Sequence, residues 1–156
     1  MAGLVPTLFA KIFTGTSEKE ILYSFLAMRA LCAGVCQANV DYIRLFGAPP
    51  IYDAGVRYIP EFSSENWLTV PYIIANGGGD CEDLACWRAA ELRLKGVDAK
   101  PDIRARQMSN GAWRAHCIVR LPDGTIEDPS EKLGMPKGGL PETHDMQSFM
   151  SKMLPR

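Results

Sequence analysis

Three consecutive glycines, Gly77-Gly78-Gly79, run directly into Asp80-Cys81-Glu82-Asp83, and a helical pattern follows at once. Glycine has no Cβ, so this stretch can turn tightly, approach other groups closely and adopt positive φ. Asp80 is an N-cap residue type, and Glu82 and Asp83 fall in a first turn, where the positive end of a helix favours acids. A helix is therefore predicted from about Asp80 to Cys81 onward. Leu84, Ala85, Arg88 and Leu92, with the flanking Trp87 and Ala89, form its body, and Lys95-Gly96 ends it.

Upstream, Ser17-Glu18-Lys19-Glu20 has capping-box form. Ile21, Leu22, Phe25, Met28, Cys32, Val35, Cys36, Ile43 and Phe46 then recur mostly at spacings of three, four and seven. One long helix or two shorter ones are predicted across about 17–46, with Gly34 as a weak point and Gly47 and Pro49-Pro50 as the stop. Residues 48–66 read as an ordered loop with little regular structure, and Trp67 to Ile74 as a short apolar stretch interrupted by Pro71. Downstream, Val97 to Gln107 reads as extended, with Pro101 suited to an edge, and Ser109-Asn110-Gly111 as a turn. Trp113, Ala115, Cys117, Val119 and Leu121 alternate with Arg114, His116, Ile118 and Arg120, which is strand periodicity. Pro122-Asp123-Gly124 turns the chain into a short strand, Thr125 to Asp128. The rest is expected to be loop-like, with a short helix near Asp145 to Met153.

The sum is an α+β chain in one domain. It divides into an N-terminal segment (1–16) packed as a strand or short helix, a helical region and loop (17–66), a core (67–130) and a tail (131–156). With 47% hydrophobic and 22% charged residues among 156, the chain can bury a core and is not expected to be disordered. A net charge of −1 gives a nucleic-acid partner no basic surplus to bind through. No uncharged apolar run of membrane length is seen, so no membrane span is expected. The first residues lack a basic n-region and a clean cleavage site, so no signal peptide is expected either. Five cysteines, an odd number, do not suggest a disulfide framework. Cys32 and Cys36 should stack as small apolar groups on one helix face. The CxxxC and CxxxxC spacings, with only two histidines, do not suit structural zinc, and Asp80, Glu82 and Asp83 read as capping acids rather than a calcium site. No metal or cofactor is expected.

The chemistry centres on Cys81. The free N–H groups and positive dipole of a helix start favour thiolate over thiol, and the preceding glycines leave room for a substrate carbonyl. Asp80, Glu82 and Asp83 would oppose thiolate formation if they pointed at the sulfur. A base must reach that sulfur. His116, on a strand face shared with Arg114, Ile118 and Arg120, is the candidate. His144, in a polar tail segment, is its rival. Asp128 depends on the intervening turn. A two-residue turn at Asp123-Gly124 pairs Leu121 with Ile126 and faces Asp128 away from His116. A three-residue loop, Pro122-Asp123-Gly124, pairs Leu121 with Thr125 and sets Asp128 diagonally across from His116. Three-residue hairpins favour glycine last, as Gly124 stands.

Taken together, Gly79-Asp80-Cys81-Glu82-Asp83-Leu84-Ala85, Lys95-Gly96-Val97, Trp113-Arg114-Ala115-His116-Cys117-Ile118-Val119 and Gly124-Thr125-Ile126-Glu127-Asp128-Pro129-Ser130 resemble the transglutaminase-like superfamily. The G-D-C-x-D form of Gly79 to Asp83 is similar to that of the bacterial transglutaminase-like cysteine proteinases. The resemblance spans about residues 67–130. It implies a papain-like core, with a nucleophile helix on an antiparallel sheet. It also implies Cys81 as nucleophile, His116 as base and then acid, and Asp128 as the group orienting the imidazole. The reaction implied is acyl transfer through a thioester, with the oxyanion held by the Cys81 N–H and a second donor among Asn66, Trp67, Tyr72 and Asn76. Calcium sites and extra domains of the animal enzymes find no room in so short a chain, so hydrolysis of a peptide or isopeptide bond is expected over crosslinking. The partner expected is a protein or peptide substrate. The location expected is cytoplasmic, or virion-associated for a phage-encoded chain. The reading from a different class is a catalytically silent member of the same fold that serves binding or assembly.

Overall fold

The computed structural model describes residues 17–61, 65–107, 109–111 and 113–137. The expected N-terminal segment 1–16, the helix near Asp145 to Met153 and the rival His144 lie outside them.

The first helix, α1 (Glu18–Phe46), is unbroken through Gly34. Its start is fixed by a reciprocal capping box: Ser17 N–H donates to Glu20 Oε2 at 3.0 Å, and Glu20 N–H to Ser17 Oγ at 3.4 Å. One face buries Leu22, Phe25, Cys32, Cys36, Asn39 and Val40. By length and composition alone α1 is apolar enough to cross a membrane, although Arg29 keeps it from being an uncharged run. One such helix does not show a span, and this one packs against the rest of the domain.

The region from 48 to 66 is more regular than expected. It holds a 3-10 turn, Ile51–Asp53, and a two-residue strand, β1 (Arg57–Tyr58). The apolar stretch with Pro71 contributes to a helix, α2 (Val70–Asn76). Pro71 sits in the first turn, where its missing N–H leaves no bond unmade. Gly77 closes α2 at φ +75°, and β2 (Gly78–Gly79) pairs in parallel with β1. The predicted nucleophile helix is α3 (Cys81–Leu94), with Asp80 as N-cap and Lys95 as C-cap.

Three antiparallel strands follow in the order β3-β4-β5: β3 (Lys100–Gln107), β4 (Trp113–Arg120) and β5 (Ile126–Glu127). Pro101 lies on β3, an outer strand of this sheet, as an edge proline should. Pro129, expected in a loop, instead opens a four-residue helix, α4 (Pro129–Lys132), capped by Asp128. The mixed helix-and-sheet content with a small antiparallel sheet fits the α+β class.

Helix α3 lies at the centre. On one side Ala85, Cys86, Ala89 and Ala90 pack with Phe25, Cys32, Cys36 and Val40 of α1 and with Ile103, Cys117 and Val119 of the sheet. Small side chains at this contact let the elements approach closely. On the other side Leu84 and Trp87 pack with Ile51, Val56, Val70 and Ile73. Asn39 is fully buried between α1 and α2, and its Oδ1 accepts the Val70 N–H at 3.0 Å.

Candidate active site

Cys81 is the first residue of α3, and two of the glycines before it, Gly78 and Gly79, are there for clearance. A Cβ on Gly79 would lie 2.6 Å from Asp83 Oδ2 and 2.8 Å from Asp83 Cβ, and a Cβ on Gly78 would collide with the Arg57 carbonyl. Asp83 cannot easily yield. Its Oδ2 accepts the Asp80 N–H at 3.2 Å and its Oδ1 the Leu68 N–H at 2.6 Å.

The acids around the sulfur are buried rather than solvated. Asp80, Glu82 and Asp83 are 7%, 7% and 1% exposed. Burial raises Asp80 to about 6. Burial followed by the charge of Asp80 raises Glu82 to about 10 and Asp83 to about 8. The Cys81 thiol donates to Glu82 Oε2 at 3.2 Å. Burial above all, and then the neighbouring Glu82, pushes this thiol well above its ordinary value, while the Cys117 backbone N–H pulls the other way. This corrects the expectation that the helix start delivers a thiolate. Desolvation and adjacent acids outweigh the helix dipole here, and the resting sulfur is protonated.

His116 and Asp128 meet directly. His116 Nε2 is 2.6 Å from Asp128 Oδ2, and both side chains are largely buried. The other Asp128 oxygen accepts the N–H groups of Ser130 and Glu131 at 3.0 and 3.3 Å. The turn is the three-residue loop that this pairing demands. Leu121 N–H donates to Thr125 O at 2.9 Å, Arg120 pairs with Ile126, Val119 pairs with Glu127, and Gly124 has φ +86°. The strand face of His116 is less open than its sequence suggests, because Ile118 beside it is 2% exposed.

Cys81 is joined to β4 through the Cys117 N–H, one residue from His116, whereas its own thiol hydrogen bond goes to Glu82. Of the candidate oxyanion donors, Asn66 is engaged with Glu61 at 3.1 Å and Asn76 with the Gly78 carbonyl at 3.0 Å. Trp67 packs against the core, and Tyr72 is 45% exposed. A neighbour the sequence gave no sign of is Tyr58, which pairs with Gly79. Its hydroxyl is raised first by burial and then by the charges of Cys81, Asp80 and Glu82. A two-residue parallel strand leaves no periodic signal.

Among the described residues, the acids with metal-binding spacing are Glu61, Glu65 and Asp80, whose oxygens lie within 4.8 Å of one another. Only Asp80 is shared with the trio considered from sequence. Such a donor set suits a hard cation. The cysteines are all free thiols. Cys32 and Cys117 sulfurs stand 3.7 Å apart, and Cys86 donates to the Cys32 carbonyl at 3.4 Å. Hydrogen bonds from Cys117 and then Cys86 lower Cys32 to about 5. No protein-family model, curated protein or solved structure matches the chain.

Proposed function

We propose that the protein is a cysteine peptidase or amidase of the transglutaminase-like type, with Cys81 as nucleophile, His116 as base and Asp128 as the orienting acid. The observation that carries this reading is the 2.6 Å His116–Asp128 hydrogen bond beside a helix-start cysteine. With Nε2 given to Asp128, the imidazole has Nδ1 left to take a proton. Because the Cys81 thiol is protonated at rest, the base must remove its proton as the sulfur attacks, in place of a preformed thiolate–imidazolium pair. The sulfur then bonds to the carbonyl carbon of a peptide or isopeptide. The Cys81 N–H supports the oxyanion, and the imidazolium returns its proton to the leaving amine. Water, activated by the same imidazole, cleaves the thioester and regenerates the thiol.

The test uses p-nitrophenyl acetate as an acyl donor. A burst of about one equivalent of p-nitrophenolate is expected, with the acetyl group located on Cys81 by mass spectrometry. Cys81→Ala should abolish it, and His116→Ala should slow it roughly 10²-fold or more. Absence of acetyl on Cys81 rejects the enzyme reading. It would leave the silent binding or assembly module, which the buried acids around the sulfur favour.

A further inference from the structure

Outside the three proposed catalytic residues, a polar cluster lies one position before Asp128. Glu127 is a strand residue whose side chain is only 12% exposed, yet it is charged and four donors converge on it. Arg88 Nε reaches Oε1 at 2.9 Å and Nη2 reaches Oε2 at 3.4 Å, a two-pronged grip. The Tyr52 hydroxyl and Lys132 Nζ, the latter at 3.0 Å, also donate to Oε1. Burial opposes its charge, and the bonds from Arg88, Tyr52 and Lys132 overcome it, taking Glu127 down to about 2. Arg88 is itself held by Glu91 at 3.1 Å and lies over the Tyr52 ring, 5.2 Å from its centroid.

The placement of these groups gives the cluster its meaning. Arg88 is on α3, seven residues after Cys81, and seven residues bring a helix back to nearly the same face. Glu127 is on β5, and the next residue holds the His116 ring. Lys132 is on α4, the helix that Asp128 caps. The Arg88–Glu127 pair therefore ties the helix carrying the sulfur to the strand carrying the acid, and Lys132 ties the far side of Asp128 to the same carboxylate.

We infer that Arg88 and Glu127 form a positioning brace. By fixing β5 against α3, they hold Asp128 at the distance and angle that keep the His116 imidazole in a single tautomer, with Nε2–H on Asp128 and Nδ1 free. The Tyr52 hydroxyl adds a further bond to the same carboxylate. The brace touches no reacting atom. Its functional meaning rests on the acyl-transfer reading, whereas its structural claim does not.

The experiment has two arms on the full chain. In the first, long-range proton–nitrogen NMR correlations of the His116 ring report its tautomer. The wild type should show the Nε2–H form alone, and Glu127→Gln and Arg88→Met should each show a mixture, with circular dichroism unchanged. In the second, the rate of Cys81 acetylation by p-nitrophenyl acetate should fall tenfold or more in the same variants, with Arg88→Lys in between. A single Nε2–H tautomer and rates within twofold of wild type in Glu127→Gln would overturn the brace. If Arg88→Met does not fold, Glu127→Gln and Arg88→Lys decide. Loss of the tautomer in the variants, in a protein whose wild type never acetylates Cys81, upholds the brace and sinks the acyl-transfer reading. A single Nε2–H tautomer together with normal acetylation in every variant does the reverse.

Discussion

Asp128 performs two tasks with two oxygens. Oδ2 holds His116 and Oδ1 caps α4. The two tasks can be separated by substitution. Asp128→Ala should cost about 1 kcal/mol of stability through the lost cap and also slow Cys81 acetylation. Asp128→Asn should keep the cap, and with it most of the stability, while slowing acetylation. Urea unfolding and burst kinetics on both variants check this. Gly79 is constrained differently. A methyl group there meets Asp83, which is pinned by Leu68 and Asp80. Gly79→Ala should therefore destabilise by roughly 1–3 kcal/mol, as overpacking does, measurable as a lowered urea midpoint with an unchanged slope. The wish for room around Cys81 was legible in the glycine run. That Asp83, rather than substrate, occupies the space was not, because its bond to Leu68 N–H joins residues 15 apart.

Long elements with capped ends were readable from sequence, whereas short elements that depend on distant partners were not. Helices α1 and α3 and strand β4 carry their own periodicity and end signals, and even the β4–β5 register follows from Gly124. Strands β1 and β2 have two residues each, and two residues define no period. Helix α2 was hidden by Pro71, which reads as a breaker until its first-turn position is known. Helix α2 is also held from outside by the buried Asn39. Asn39→Ala leaves the Val70 N–H without its partner and should cost about 1–3 kcal/mol. Hydrogen exchange of the Val70 and Ile73 amides should quicken more than that of α3.

At the scale of the whole molecule, the buried carboxyls give stability a two-sided dependence on pH. Asp80, Glu82 and Asp83 are raised in the fold to about 6, 10 and 8. Above about pH 4 the unfolded chain, with ordinary carboxyls, holds fewer of these protons than the folded one, so stability falls as pH rises through those values. Glu127 acts oppositely. Lowered to about 2, it contributes stability above its ordinary 4.5 that is lost as pH falls toward 2. Thermal midpoints should peak near pH 4 and drop by about 5 °C or more toward pH 9. Glu82→Gln should flatten the alkaline side, and Glu127→Gln the acid side. The sequence revealed that the acids were close together but not that they were buried, because the groups that meet them, such as the Leu68 N–H on Asp83, come from elsewhere in the chain.

The double use of Asp128 also bears on how such a chain could drift over generations. If Cys81 is the nucleophile proposed, a descendant freed from any need to react would be released from keeping it, yet still penalised for losing Asp128, because the α4 cap would go with it. Decay should therefore begin at the sulfur and reach the carboxylate last. In a set of diverged copies, an aspartate at this position would certify an intact scaffold, and the cysteine alone would carry news of retained chemistry.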